Sequence, residues 1–122
     1  MAESAERIHL IGIGGIGVSG IARLLHLGGH RVSGSDVKES SITRALRAEG
    51  ITVHIGHDPA HLREVDRVVY STAIPTDNPE RLAAQDFGIP LVHRAAVLEE
   101  LLRDRESVGV IGPTARGPSR PC

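Results

Sequence analysis

Four glycines fall within six positions, Gly12, Gly14, Gly15 and Gly17 of GIGGIG, between the apolar run RIHLI and the segment VSGIARLLHL. Gly12, Gly14 and Gly17 have the G-x-G-x-x-G spacing of a phosphate-binding turn between a strand and a helix. Gly12 permits the tight turn, and Gly14 and Gly15 let backbone approach a phosphate with no Cβ in the way. Gly17 lets the helix lie close to the sheet. The helix start then presents free N–H groups and a partial positive charge to an anion. A mere connecting turn would carry the entropic cost of four glycines without any gain in packing. Asp36 follows the loop by about twenty residues, where an acid accepts hydrogen bonds from a ribose. The chemistry implied is binding of a nucleotide diphosphate at the carboxyl ends of the strands.

Other reactive side chains form weaker sets. His54, His57 and His61 have the spacing H-x2-H-x3-H, with Asp58 beside them. Pro59 interrupts the run, and only His57 and His61 could share a helical face. Loop histidines are expected there rather than a zinc site. Ser19 and Ser71 have no His and Asp arranged around them for nucleophilic catalysis. Cys122, the only cysteine, ends the chain and is expected to be an exposed thiol. No catalytic residue and no metal ligand is expected.

The elements that must position these groups alternate between two periodicities. Strand candidates are Arg7 to Gly12, His30 to Ser33, Ile51 to Ile55, Arg67 to Ser71, Ile89 to Val92 and Val108 to Ile111. Helical spacing runs over Val18 to Leu27, with Gly28-Gly29 as its stop. Ser41 can cap a second helix reaching Glu49. Asp77-Asn78-Pro79-Glu80 opens a third, with a capping side chain and then proline at the first helical position, and it reaches Phe87 and Gly88. A fourth spans Arg94 to Leu102. Strands alternating with helices, several of them continuously apolar, predict an α/β fold: a Rossmann-like, doubly wound, mainly parallel sheet in a single domain.

Composition limits the remaining choices. A chain of 122 residues with net charge −1 is one domain by size and has no basic stripe. Tyr70 and Phe87 are the only aromatic residues of the Phe, Trp and Tyr class, so base-stacking platforms and nucleic-acid binding are not expected. No membrane span or signal segment is evident, and the lack of internal cysteine pairs suits the cytoplasm.

Five ordered segments then resemble the Mur ligases: HLIGIGGIGVSGIA, SGSDVKES, IGH, STAIPTDNPE and IPLVHRAAVLEEL. The resemblance reaches nearly to Gly112 and is greatest to the branch that adds L-alanine to UDP-N-acetylmuramate in peptidoglycan synthesis. It implies that residues 1–111 are a Rossmann-like domain binding that UDP-sugar. Gly14, Gly15, Ile16 and Gly17 would meet the diphosphate through backbone N–H groups. Ser35 and Asp36 would meet the uridine side, Ser71, Thr72 and Ala73 would line the same crevice, and His57 and Arg94 are further candidates. The family's ATP and Mg2+ would serve the full-length ligase from a second domain, and a third would help bind the amino acid.

Residues 112–122 depart from the family pattern. There the strand leads into a Gly-Lys phosphate loop, whereas Gly112 is followed here by PTARGPSRPC and no lysine occurs after Lys38. With suitable synonymous codons, one inserted base turns this tail into Gly-Thr-His-Gly-Lys-Gly-Thr-Val-Ser-Ala-Met, a phosphate loop. The expectation is an aberrant, disordered tail and a chain that binds the sugar nucleotide without ligase activity of its own. Lost docking of the missing domains could expose an apolar patch near Val108 to Ile111 and favour a homo-oligomer. Two other readings use the same glycines: an NAD-binding module of an oxidoreductase or regulator, and the ligase that recycles murein peptide onto the same UDP-sugar. The NAD reading gives Ser71 to Ile74 no task.

Overall fold

A computed structural model describes residues 5–109, with side chains described to Arg103. The chain runs β1 (Arg7–Ile11), α1 (Ile16–Leu27), β2 (Arg31–Asp36), α2 (Ser41–Ala48), β3 (Thr52–Ile55), a 3-10 turn (Pro59–Leu62), β4 (Arg67–Tyr70), α3 (Pro79–Phe87), β5 (Leu91–His93) and α4 (Arg94–Gly109). The sheet is five-stranded in the order β3-β2-β1-β4-β5, and every pairing is parallel. This is the expected α/β architecture. Among the described residues, no helix is long and apolar enough to cross a membrane.

The two faces of β1 explain the layering. Ile8 and Leu10 point into a core with Ile21, Leu25, Leu46 and Val97, so α1, α2 and α4 cover one face. Ile11 points the other way, into a smaller core with Leu62, Val68, Ala83 and Ala84 beneath α3 and the 3-10 turn. His9 shares that second face by the two-residue period of a strand. It is fully buried there.

Local chemistry sets the helix ends. The Asn78 side chain accepts from the amides of Glu80 (2.9 Å) and Arg81 (3.2 Å), Pro79 takes the first helical position, and Gly88 closes α3 with φ 72°. α2 is capped by Ser40 rather than Ser41, with Thr43 completing the reciprocal pair.

Two expectations change. β2 does not stop at Gly34 but runs through it to Asp36. A Cβ on Gly34 would lie 2.6 Å from Ile13 Cβ and 2.8 Å from the Leu10 carbonyl oxygen, so this glycine serves close packing rather than a turn. The expected sixth strand is also corrected in part. Val108 and Gly109 are the last residues of α4, because nothing between Arg94 and Val108 breaks a helix. Residues 110–111 and the expected tail, 112–122, lie outside the described residues.

Gly34→Ala should therefore lower unfolding free energy by about 1–3 kcal/mol through overpacking against backbone. Urea denaturation checks this; an unchanged midpoint would show that β1 and the loop after it yield freely.

Candidate functional site

All five strands point their carboxyl ends to one edge, and strand order reverses between β1 and β4. A crevice opens at such a switch point. One wall is the loop Gly12–Gly15, where Gly12 has φ 75°. The Gly12 and Ile13 amides both donate to the Ser35 carbonyl, at 2.8 and 2.9 Å. The other wall follows β4. There Ile74 reaches over Gly12, 3.1 Å from where a Cβ would stand, and Arg81 donates to the Ile74 carbonyl at 3.0 Å. The Arg81 guanidinium also lies 4.3 Å above the Tyr70 ring.

The glycine loop delivers the start of α1 uncapped, because Gly15 at the capping position has no side chain to accept from it. Gly15 N donates to Gly12 O at 3.0 Å and Gly14 N to Asp36 Oδ2 at 2.8 Å, so those two amides are engaged. Those of Ile16 and Gly17 belong to the first helical turn and are left for a ligand or water. Ile16 is 86% exposed. The Arg94 guanidinium lies against Gly17, where a Cβ would come within 3.2 Å of its terminal nitrogen. Among the described residues, no carboxylate pairs with Arg94. Helix start and guanidinium together present positive charge to one point.

The remaining expected residues divide between the crevice and its support. Ser71, Thr72 and Ala73 follow β4 along the second wall, and Thr72 Oγ1 is 3.0 Å from His93 Nε2. His93 Nδ1 accepts from the Ala95 amide at 3.1 Å, so Nε2 carries the proton and donates to Thr72. Asp36 ends β2 at the crevice, and its second oxygen accepts from Val37 N at 2.7 Å. Ser35 lies beneath, fully buried, its hydroxyl 2.6 Å from Glu80 and 2.8 Å from His57 Nδ1.

That support is a cluster the sequence does not announce. The carboxylate of Glu80 is completely buried. Oε1 accepts from His9 Nε2 (2.9 Å) and Ser35 Oγ (2.6 Å); Oε2 accepts from His61 Nδ1 (2.5 Å) and the Asp58 amide (3.0 Å). His54 stacks on His61, ring centres 3.9 Å apart, and burial with the nearby His61 charge pushes its pKa down. Burial would raise the Glu80 carboxyl, but the His9 hydrogen bond and charge and the Ser35 and His61 hydrogen bonds outweigh it, leaving a pKa of about 2. Ligand atoms of His9, His61 and Glu80 lie within 4.8 Å of one another and could hold a metal. As they stand, four donors already fill the carboxylate's accepting sites. His54 and His57 are not part of that close set. Glu80 gave no signal beyond a helix start, because its partners are 19 to 71 residues away.

Comparison with known proteins follows the same lines. Residues 7–106 match the model of the Mur ligase family, catalytic domain. A UDP-N-acetylmuramate–L-alanine ligase of Carboxydothermus hydrogenoformans is 52% identical over 106 residues, 86% of this chain and 23% of that protein. Among solved structures, UDP-N-acetylmuramate–alanine ligase from Thermotoga maritima superposes with TM-score 0.78 at 32% identity, over 81% of this chain and 23% of that one. A murein peptide ligase from Psychrobacter arcticus gives 0.74 at 28%, over 79% and 20%. The chain thus spans about a quarter of the length of the curated relatives it matches.

A depressed carboxyl pKa contributes stability that is present above the ordinary value of 4.5 and is lost as pH falls toward 2. The contribution amounts to roughly 3 kcal/mol. Denaturation measured from pH 6 down to about pH 2 should show this loss, and Glu80→Gln should be less stable at neutral pH and lack that part of the acid dependence. Parallel acid profiles for the two proteins would contradict the assignment.

Proposed function

The chain belongs to the Mur ligase family, and on that footing we propose that it is the part of a UDP-N-acetylmuramate–L-alanine ligase that holds the UDP-sugar. One arrangement carries this reading: the uncapped start of α1 with the Arg94 guanidinium against Gly17, at the switch point of the sheet. A diphosphate is the ligand such a place suits, since backbone N–H groups, helix dipole and guanidinium all favour negative charge.

In this proposal the Ile16 and Gly17 amides and Arg94 meet the diphosphate, while Gly14 and Gly15 keep Cβ atoms out of its way. Asp36 faces the uridine side. Engagement of Asp36 by a ribose hydroxyl would compete with its bond to Gly14 N. Ser71, Thr72 and Ala73 form the opposite wall, with Thr72 oriented by His93. Ser35 and His57 act from below, through the Ser35 carbonyl that fixes the loop.

The relatives' full reaction forms a C–N bond between the muramate carboxylate and alanine. In the proposal, other parts of the ligase would hold ATP and Mg2+, which would supply the activation of that carboxylate. The residues described here do not fit that role. No lysine follows Lys38 to reach nucleotide phosphates. Among the described residues the one close group of three metal-ligating side chains is His9, His61 and Glu80, rich in nitrogen and buried, whereas Mg2+ takes oxygen ligands. In the proposal this stretch binds the sugar nucleotide in the cytoplasm.

Calorimetric titration with UDP-N-acetylmuramate, and with NAD in parallel, tests the reading. Saturable binding of the UDP-sugar alone is expected. Arg94→Ala should weaken it about tenfold or more, the worth of one charge-assisted contact, while leaving thermal stability nearly unchanged. Binding of NAD in its place would return the glycine loop to a general dinucleotide role.

A further inference from the structure

The edge of the sheet opposite the crevice carries a second feature. The chain between β3 and β4 makes only the short 3-10 turn, so the second face of β2 and β3 is bare near their amino ends. A cleft of about 200 Å³ opens there. Ser33, Thr52 and His54 form its floor, and Arg7, Arg31 and Arg63 stand around it. No carboxylate lines it.

Register makes this charge unusual. Arg7 and Arg31 are direct partners in the parallel pairing of β1 and β2, with His9 and Ser33 the next pair on the same face. Adjacent strands lie about 4.8 Å apart, and like charges directly opposite one another destabilise a sheet. Arg63 adds a third positive charge from across the cleft. Arg7 is offset by Glu64, at 2.8 Å. Arg31 and Arg63 form no ion pair among the described residues. Two hydroxyls lie on the floor between them: Thr52, and Ser33, whose Oγ is 2.9 Å from His9 Nδ1.

We propose that this cleft is a binding site for a phosphate-class oxyanion, separate from the glycine-loop crevice. The anion sits between the Arg31 and Arg63 guanidinium groups, over the Ser33 and Thr52 hydroxyls. Planar guanidinium forks match the oxygen edges of a phosphate, and the bound charge relieves the Arg7–Arg31 repulsion. A divalent cation would meet three arginines on entry, so the chemistry selects anions. The proposal does not depend on the UDP-sugar reading, because the two sites use opposite edges of the sheet.

The test is titration of the full chain, isotope-labelled, with inorganic phosphate and separately with ribose 5-phosphate at constant ionic strength, followed by backbone and arginine side-chain NMR shifts. Saturable shifts at Ser33, Thr52, His54 and the Arg31 and Arg63 side chains are expected. The two ligands separate a free phosphate from the phosphate end of a larger molecule, according to which binds more tightly. Arg31→Ala and Arg63→Ala should each weaken binding about tenfold, and Arg94→Ala should not. These arginines are exposed, so the variants should fold, and phosphate should raise the melting temperature of the parent chain by more than that of the Arg31→Ala/Arg63→Ala double variant. Shifts confined to Gly14–Gly17, or equal shifts with chloride, would overturn the site.

Discussion

A fully buried carboxylate is costly unless donors fill it, and Glu80 is the point where this molecule meets that cost. Its four partners come from β1, β2, the loop after β3 and the 3-10 turn, and Glu80 itself comes from the first turn of α3. These are the pieces that cover the second face of the sheet, where the apolar core is small. An apolar residue there could supply burial but not direction. The carboxylate supplies direction, because each donor satisfies it from only one position. The start of α3 adds its own dipole, which favours a negative side chain in that turn.

The crevice inherits its shape from this cluster. Ser35 gives its hydroxyl to Glu80 below and its carbonyl to the Gly12 and Ile13 amides above. One residue of β2 therefore links the buried charge to the glycine loop. Gly34, beside it, lets Ile13 come down onto the strand, and Asp36, after it, holds the Gly14 amide. Loop geometry at a phosphate site has to be held to well under an ångström to be useful. Here three successive residues of β2 hold it, and the buried carboxylate holds the middle one.

Much of this was legible in local sequence and some was not, for a physical reason. The glycine turn, the Asn78-Pro79 cap, the Gly88 stop and the alternation of strand and helix are all decided by residues within a few positions of one another. β2 was read as ending at Ser33, before Gly34, because a glycine in a strand looks the same whether it turns the chain or admits a neighbour, and the neighbour, Ile13, is distant in sequence. The last expected strand overlaps the end of α4 at Val108 and Gly109, where two apolar readings compete and helix propagation from Leu101 needs no new nucleus. Glu80 was hidden more deeply. At the second position of a helix a glutamate normally faces water and the dipole, and only the fold brings His9 and His61 to it. Arg94 was only a further candidate from the resemblance. The contact with Gly17 joins it to the crevice, and no spacing rule connects residues so far apart.

Parallel strands also give the two edges of the sheet opposite tasks. At the carboxyl edge the helices begin, and their free N–H groups make an anion site from backbone, so the sequence there needs glycine more than charge. At the amino edge the helices have ended and carbonyl groups gather, so positive charge must come from side chains. Arg7, Arg31 and Arg67 each open a strand there. Arg67 is matched from within the molecule, by Glu6 and Glu100, and the Arg7 side chain by Glu64. The fold has therefore neutralised the arginines on one side of that edge with its own acids. On the side where the 3-10 turn leaves β2 and β3 uncovered, Arg31 and Arg63 keep their charge among hydroxyls, and an anion from solution is the group that balances them.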